Sequence, residues 1–224
     1  MNFKKLLLVA ATAALVCGAV AQGGGQRRGG FGMQNDPVQL TGREDVQKDL
    51  ALTDDQKTKL TDLREKAQQK RQEARQAAME AAGDDREAGM KAMQAANAKI
   101  TEEMSKELAT ILTPDQVKRL KEILIQISGV SIVTTNKEIQ TDLTITDEQK
   151  TKFADLQTKQ RAAMTELFQN SQGDRAAIQE GMAKNRKIME DEINKILTDA
   201  QKAKLKDMSG KPFTRVDPPA GGGR

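Results

Sequence analysis

Histidine, tryptophan and tyrosine are absent from this sequence, and Cys17 is its only cysteine. With no histidine, and with its one thiol near the N terminus, the chain lacks the commonest nucleophiles, proton shuttles and transition-metal ligands. Carboxylate side chains are plentiful, but no spacing gathers them away from an ordinary solvated helix face. We therefore expect a protein that is not an enzyme and that binds neither a cofactor nor a metal ion.

Aromatic residues make up only 2% of the chain, which leaves no stacking platform for nucleic-acid bases. The charged residues are mixed in sign and do not form the basic stripe of a nucleic-acid-binding protein. The formal net charge is +4, and removing Lys4 and Lys5 with an N-terminal leader leaves +2. We expect no nucleic-acid partner.

Residues 1–21 have the pattern of a secretory signal peptide. Two lysines are followed by the apolar run LLLVAATAALVCGAV and by the cleavage pattern Ala19-Val20-Ala21. The apolar run is shorter than the roughly 20 residues that a membrane-spanning helix needs. The sequence therefore predicts cleavage near Ala21, export to the periplasm or another extracytoplasmic compartment, and no stable membrane span.

The alternative for this segment is a lipoprotein signal in which Cys17 is the lipidated residue. Val16 argues against it, because a small residue is expected directly before that cysteine. Cleavage after Ala21 would remove Cys17, so the exported chain would contain no disulfide framework. Helix packing alone would then hold the fold together.

Three regions differ in composition after the leader. Residues 22–42 are rich in glycine and include GGGQRRGGFG, and residues 209–224 end in PPAGGGR. Such segments bury too little apolar surface to order themselves, so both are predicted to be disordered. Residues 43–208 are dense in Ala, Gln, Glu, Lys and Leu, which favour helices. The predicted fold class is all-α.

A short motif, Leu-Thr-x-x-Gln, occurs three times, and a fourth copy has isoleucine in the first position. The threonine can be the N-cap of a helix, and the glutamine three residues later can reach back to the cap amide, which makes a capping box. Each copy therefore predicts a helix start. The four copies are Leu52, Thr53 and Gln56; Leu112, Thr113 and Gln116; Ile145, Thr146 and Gln149; and Leu197, Thr198 and Gln201.

The motifs belong to a tandem repeat, since LALTDDQKTKLTDL returns 93 residues later as LTITDEQKTKFADL. The predicted units span residues 43–129 and 136–208, with a β-branched linker, residues 130–135, that we expect to be extended. Each unit contains a short leading helix, a long capped helix, a Gly-Asp break, a second long helix and a short capped helix.

The long helices carry apolar stripes with the 3-4 spacing of a coiled coil. Such stripes predict antiparallel helical hairpins packed at shallow angles in an elongated, cradle-like arrangement. Because the stripes are narrow and rich in alanine, each hairpin has little core of its own. The stripes comprise Leu60, Leu63, Ala67, Ala74, Ala77 and Ala81; Met93, Ala96, Ile100, Met104, Leu108 and Ile111; Phe153, Leu156, Gln160, Ala163 and Leu167; and Ile178, Met182, Met189, Ile193 and Ile196.

The paired LTxxQ motifs, a helical hairpin between them and a signal peptide resemble the Spy/CpxP family of periplasmic proteins. The resemblance implies a small all-α protein of a family that dimerises into a curved cradle. It also implies an ATP-independent chaperone or a stress-response modulator of envelope sensor kinases. This chain has two such units, so the expectation is a monomeric pseudo-dimer or a homodimer. One branch of the family binds metals through His and Cys, and those ligands are missing here.

The expected partners are unfolded or partly folded client proteins, bound without ATP. Methionine side chains are common on adaptable binding surfaces, but they also fill gaps in cores. Lysine and arginine side chains either attract clients or form a solvated helix face. The alternatives are docking to a single envelope partner, such as a sensor kinase, and metal sensing, with thioether binding of Cu(I) at Met90 and Met93. The candidate client-binding residues are Met90, Met93, Met104, Met182, Met189, Lys70, Arg71 and Arg75.

Overall fold

The computed structural model describes residues 36–83, 85–171 and 173–216, and within them it contains helices and no strand, which confirms the all-α prediction. The predicted signal peptide and most of the predicted N-terminal disordered segment lie outside these residues, as do residues 217–224. The α-helices are α1 (Pro37–Leu40), α2 (Glu44–Asp49), α3 (Asp54–Ala82), α4 (Arg86–Ile111), α5 (Pro114–Ser128), α6 (Lys137–Asp142), α7 (Asp147–Asn170), α8 (Arg175–Ile196) and α9 (Asp199–Met208).

Two antiparallel pairs of long helices dominate the fold. Helix α3 packs against α4, and α7 packs against α8. The first pair turns at Gly83, whose φ of 53° is a conformation that glycine adopts without steric cost. Asp85 and Asp174 then accept hydrogen bonds from the first-turn amides of α4 and α8. The pairs are called the first and second hairpin below.

All four predicted capping boxes are present. Thr53, Thr113, Thr146 and Thr198 each accept a hydrogen bond from the backbone N–H of the glutamine at position N3, and each glutamine side chain accepts one from the threonine N–H. The short leading helices are also present, as α2 and α6. These helix starts follow from contacts within three residues, which is why the sequence predicts them well.

The core gathers around the bases of the hairpins and around a 3-10 helix, Gly129–Thr134, which contacts α5, α6, α7 and α8. Ile132 and Val133 of this helix are fully buried. The prediction of an extended linker at residues 130–135 is therefore wrong. Its β-branched residues favour strands in isolation, but burying them at the centre of the fold outweighs that local preference.

The apolar stripe of α3 also differs from its prediction near the turn. Ala77 and Ala81 are exposed, whereas Ala78 is buried. The observed buried or half-buried positions Leu60, Leu63, Ala67, Ala74 and Ala78 still follow steps of three, four and seven residues. An α-helix has 3.6 residues per turn, so a strict seven-residue pattern drifts around its surface. Near the turn, the predicted stripe therefore includes Ala77 in place of the buried Ala78.

Disorder was predicted too widely at both ends of the domain. Residues 37–40 lie in the segment 22–42, which was predicted to be disordered. They form α1, and the side chains of Val38 and Leu40 belong to the core. At the other end, Phe213 packs against the core within the segment 209–224. The average composition of a segment does not show where its few apolar residues lie. A Gly- or Pro-rich segment becomes ordered where such residues pack against the core of the domain.

Two non-glycine residues adopt left-handed backbone conformations: Ala51 (φ 47°) and Thr144 (φ 53°). Each follows a short leading helix, and the next residue, Leu52 or Ile145, donates its N–H to a carbonyl five residues earlier, at 3.1 and 2.9 Å. This is the Schellman arrangement, in which glycine usually occupies the left-handed position.

Replacing Thr144 with glycine is expected to raise the free energy of unfolding by about 1 kcal/mol, because a left-handed conformation costs a side-chain-bearing residue about 1–2 kcal/mol. Urea denaturation followed by circular dichroism measures the change. The matched control is Ala154→Gly on the exposed face of α7, which should lower stability by about 1 kcal/mol. A loss of stability in both variants would contradict the assignment of strain to Thr144.

Candidate functional site

The two LTxxQ motifs of the first unit meet through their glutamines. Gln56 Nε2 donates to Gln116 Oε1 at 2.7 Å, and Gln116 Nε2 donates back to Gln56 Oε1 at 3.1 Å. The same two oxygens still accept the cap N–H groups of Thr53, at 3.1 Å, and Thr113, at 2.9 Å. The reciprocal pair therefore joins the starts of α3 and α5, which lie 60 residues apart in sequence.

The second N–H of each amide fastens another helix end. Gln56 Nε2 donates to the carbonyl of Ile111 at the end of α4, at 3.0 Å, and Gln116 Nε2 donates to the carbonyl of Leu50, just after α2, at 3.1 Å. A primary amide offers two donors and an oxygen with two lone pairs, so both side chains are fully satisfied. Four helix termini are tied together by two side chains.

The second unit repeats this arrangement. Gln149 and Gln201 exchange hydrogen bonds of 2.8 and 3.0 Å, and their remaining N–H groups reach the carbonyls of Ile196, at 2.9 Å, and Leu143, at 3.3 Å. We call the pairs Gln56–Gln116 and Gln149–Gln201 the amide locks. The apolar residues that lead the motifs, Leu52, Leu112, Ile145 and Leu197, are all buried beside them.

Sequence reasoning found the eight Thr and Gln residues but assigned them only to helix starts. The signal that it missed is that the motifs come in pairs, one at the start of the hairpin and one directly after it. Because the hairpin returns the chain to its base, two such motifs meet there. Capping uses only the side-chain oxygen of an N3 glutamine and leaves both of its N–H groups free, and the partner amide accepts one of them.

Ion pairs join the two helices of the first hairpin. Lys66 contacts Glu107 at 2.6 Å and Lys70 contacts Glu103 at 2.5 Å. The hydrogen bond from Lys70 lowers the pKa of Glu103, because it favours the charged form of the carboxyl group. In the described residues of the second hairpin, the ion pairs run along single helices, as in Arg186–Glu190, and none joins α7 to α8.

The predicted client-binding cations have different surroundings. Lys70 pairs with Glu103 across the hairpin, and Arg71 pairs with Asp36 at the start of α1. Both contacts lie within the chain, so these side chains serve the fold first. Arg75 is exposed and makes no ion pair with any residue that the structure describes.

The prediction that Met104 and Met189 bind clients is wrong, because both side chains are buried in the core. Each lies on the inner face of its long helix, where the thioether fills space between helices. Met93 and Met182 are half-buried, and Met90 is 55% exposed. Sequence spacing placed all of these residues on stripes, but it could not show how far along each stripe the neighbouring helices reach.

Several large apolar side chains remain exposed on the hairpins. Met79 is 58%, Phe168 is 52% and Ile188 is 49% exposed, in addition to Met90. We call these four residues the exposed apolar set. The sequence analysis did not select Phe168 and Ile188 as candidates, although a phenylalanine near a hairpin turn is a usable signal in a chain with only five phenylalanines.

A buried arginine connects the first unit to the C-terminal segment. Arg119 of α5 donates to both carboxylate oxygens of Asp49, at 2.5 and 3.0 Å, and to Glu122 at 2.8 Å. It also donates to the backbone carbonyl of Lys211 at 2.8 Å. The hydrogen bond from Arg119 is the largest influence on Asp49 and lowers the pKa of that carboxyl group.

Gln126, two turns further along α5, holds the same segment. Its Nε2 donates to the carbonyls of Ser209, at 2.5 Å, and Lys211, at 2.8 Å, and its Oε1 accepts the N–H of Phe213 at 2.8 Å. The end of the second unit is thereby fixed to α5 of the first unit. We call residues 209–216 the C-terminal strap.

Among the described residues, no helix combines the length and the apolar character that a bilayer span requires. Nor does this part of the chain bring together three or more His, Cys, Asp or Glu side chains in a metal-binding group.

Residues 21–120 match the model of a domain of unknown function, DUF4890. The match covers less than half of the 224 residues. It includes the first hairpin and both glutamines of the first amide lock. No curated protein and no solved structure matches the chain.

Proposed function

We propose that this protein is an exported, ATP-independent chaperone or envelope-stress modulator, similar to the Spy/CpxP family, that binds unfolded or partly folded proteins. The observation that carries the proposal is the exposed apolar set, Met79, Met90, Phe168 and Ile188, on hairpins that amide locks close at the base. A rigid base with apolar side chains on its arms is suited to binding rather than to chemistry.

The proposed binding is weak at each side chain. Fully burying a Met, Ile or Phe side chain contributes about 1.5–3 kcal/mol, and a flexible client loses conformational entropy when it binds. Several such contacts give a complex that forms and dissociates without an energy source. Release of the client then needs no nucleotide hydrolysis, as expected for a binding protein that is not an enzyme.

Basic residues of the second hairpin support the attraction of clients. Lys159, Arg175, Lys184 and Lys187 are exposed and make no ion pair within the part of the chain that the structure describes. Cations next to apolar side chains accelerate encounters with acidic segments, and this steering weakens as salt is added.

The rest of the proposal follows from the sequence. The leader pattern favours the periplasm or another extracytoplasmic compartment. Two hairpin units in one chain favour a monomeric pseudo-dimer, and a homodimer is the alternative. The partners would be client proteins or a single envelope sensor protein, with no nucleic acid involved.

The proposal predicts that the protein suppresses the aggregation of a reduced, unfolding client in the absence of ATP, and less effectively at high salt. Light scattering of several unrelated clients measures this. Changing Met79, Met90, Phe168 and Ile188 together to serine should weaken the suppression, because the exposed apolar area is lost. The matched control replaces four exposed glutamines, two in each hairpin, with serine: Gln72, Gln94, Gln169 and Gln179.

Circular dichroism of both variants should remain that of the unchanged protein, since all eight positions lie away from the core. If no client is protected at equimolar or higher ratio, the chaperone proposal fails and docking to one defined envelope partner takes its place. Equal loss of activity in the two variants would show that the exposed apolar set is not the binding surface.

A further inference from the structure

The two helices of the first hairpin come very close together near their turn. A Cβ atom placed on Gly89 of α4 would lie 3.0 Å from the Cβ of Ala82 and 3.6 Å from the carbonyl oxygen of Ala78. Gly89 therefore faces α3 directly, and side chains on the adjoining faces of the two helices are near neighbours.

The methionines that follow these contact residues lie on one side of the hairpin. Met79 follows Ala78 and Met90 follows Gly89, and each step turns about 100° around its helix. Because the helices run antiparallel, those two turns point to the same side. Met93, three residues after Met90, shares its face.

The opposite side carries the ion pairs. Lys70 precedes Ala78 by eight residues, which places it about 80° around α3 in the direction away from Met79. Its contact with Glu103, and the contact of Lys66 with Glu107, therefore bridge the other side of the hairpin. The methionine side has no such bridge among the described residues.

The exposure of these methionines is unexplained by packing. Met79 and Met90 are both more than half exposed, and Met93 is half-buried. Methionine has an unbranched, flexible side chain, so three thioether sulfurs rooted on one face can turn towards a common point. Glu87 lies one turn before Met90, and Arg75 lies one turn before Met79, so the site has one nearby charge of each sign.

We infer that Met79, Met90 and Met93 form a binding site for a soft monovalent cation, Cu(I), at the turn end of the first hairpin. Thioether ligands select Cu(I), whereas Zn(II) requires thiolate, imidazole or carboxylate groups. A thioether also needs no deprotonation before it binds. This inference is independent of the proposed chaperone function.

The first test is an anaerobic titration in which the protein competes with a chromogenic chelator for Cu(I). We expect a single equivalent of Cu(I) to be withdrawn from the chelator, and Met79→Leu, Met90→Leu and Met93→Leu together to abolish it. The control variant carries Met104→Leu, Met189→Leu and Met208→Leu, which removes the same number of thioethers elsewhere and should bind as before. Leucine keeps the size and apolarity of each side chain.

The second test uses the unmodified protein, so it does not depend on how any variant folds. With its methionine methyl groups labelled with ¹³C, added Ag(I), a redox-inert probe of the same ligand preference, should shift three methyl signals. Single Met→Leu changes assign them to Met79, Met90 and Met93. Shifts at other methionines, no saturable shift, or unaltered Cu(I) binding by the triple variant would each overturn the inference.

Because leucine preserves the exposed apolar area at all three positions, the triple leucine variant should still suppress client aggregation if the proposed function is correct. Loss of Cu(I) binding with retained suppression separates the two proposals. Suppression of aggregation by an unmodified protein that binds no Cu(I) would leave the proposed function standing and remove the metal site.

Discussion

Replacing Gln56 with alanine is expected to lower the free energy of unfolding by about 3 kcal/mol, since a typical hydrogen bond contributes about 1 kcal/mol. The substitution removes four hydrogen bonds, two accepted by Oε1 from Thr53 and Gln116 and two donated by Nε2 to Ile111 and Gln116. The sum is smaller than four full contributions because Gln56 is half-buried and water can satisfy some of the freed groups.

A double-mutant cycle with Gln116→Ala distinguishes the amide lock from simple capping. If each glutamine only capped its own helix, the two losses would add, because the two side chains would share no hydrogen bond. The lock predicts a coupling energy of about 1–2 kcal/mol, as found for residues in direct contact. Chemical denaturation of the four proteins in the cycle, at one pH and temperature, supplies the measurement.

Gln69→Ala is the matched control in the same helix. Gln69 is exposed, and among the described residues its side chain donates to Glu73 alone, four residues away. Its replacement should change stability by no more than about 0.5 kcal/mol. Additive losses at Gln56 and Gln116, or a loss at Gln69 as large as that at Gln56, would contradict the lock.

The second large effect is expected at Arg119. Changing it to methionine should lower the free energy of unfolding by about 3 kcal/mol, because removing one partner of a buried ion pair leaves the others uncompensated. Asp49 and Glu122 would lose their cation, and the carbonyl of Lys211 would lose its donor. The hydrogen bonds of Gln126 to the C-terminal strap would remain.

Hydrogen exchange provides a readout beyond stability. Amides of residues 209–216 should exchange faster in Arg119→Met, while those of the second hairpin keep their relative protection. Lys118→Met is the control, since Lys118 is an exposed neighbour that makes no ion pair within the described residues. Equal exchange of the strap in both variants would show that Arg119 does not hold it.

The pH dependence has a defined sign. The folded-state pKa of Asp49 is lowered by its hydrogen bond from Arg119, so the pair stabilises the fold above the unfolded-state pKa of about 3.9. This contribution disappears as the pH falls through the folded-state pKa. The stability difference between the unchanged protein and Arg119→Met should therefore narrow in acid, below about pH 4.

The sequence by itself determined the α-helices from α2 to α9 and, for those with a capping residue, where they begin. Each of four helices is capped by a threonine whose partner lies three residues away, and contacts over so short a range can be predicted from the sequence. The threonines are Thr53, Thr113, Thr146 and Thr198. The hairpin turns were predictable for the same reason, because Gly followed by Asp stops one helix and caps the next. The all-α class and the paired long helices follow from these local signals.

Only the tertiary structure decided which of these residues meet. Gln56 and Gln116 have the same local surroundings as any capping glutamine, and their pairing exists because the hairpin brings distant segments to one base. Burial is decided in the same way: Met104 is enclosed and Met90 is not, although both carry the same side chain on the same helix. The order of residues 36–42, the 3-10 helix and the strap likewise depends on partners supplied by other helices. A local pattern describes what a segment can do, but the free energy of ordering and burial is set by contacts between segments far apart in sequence.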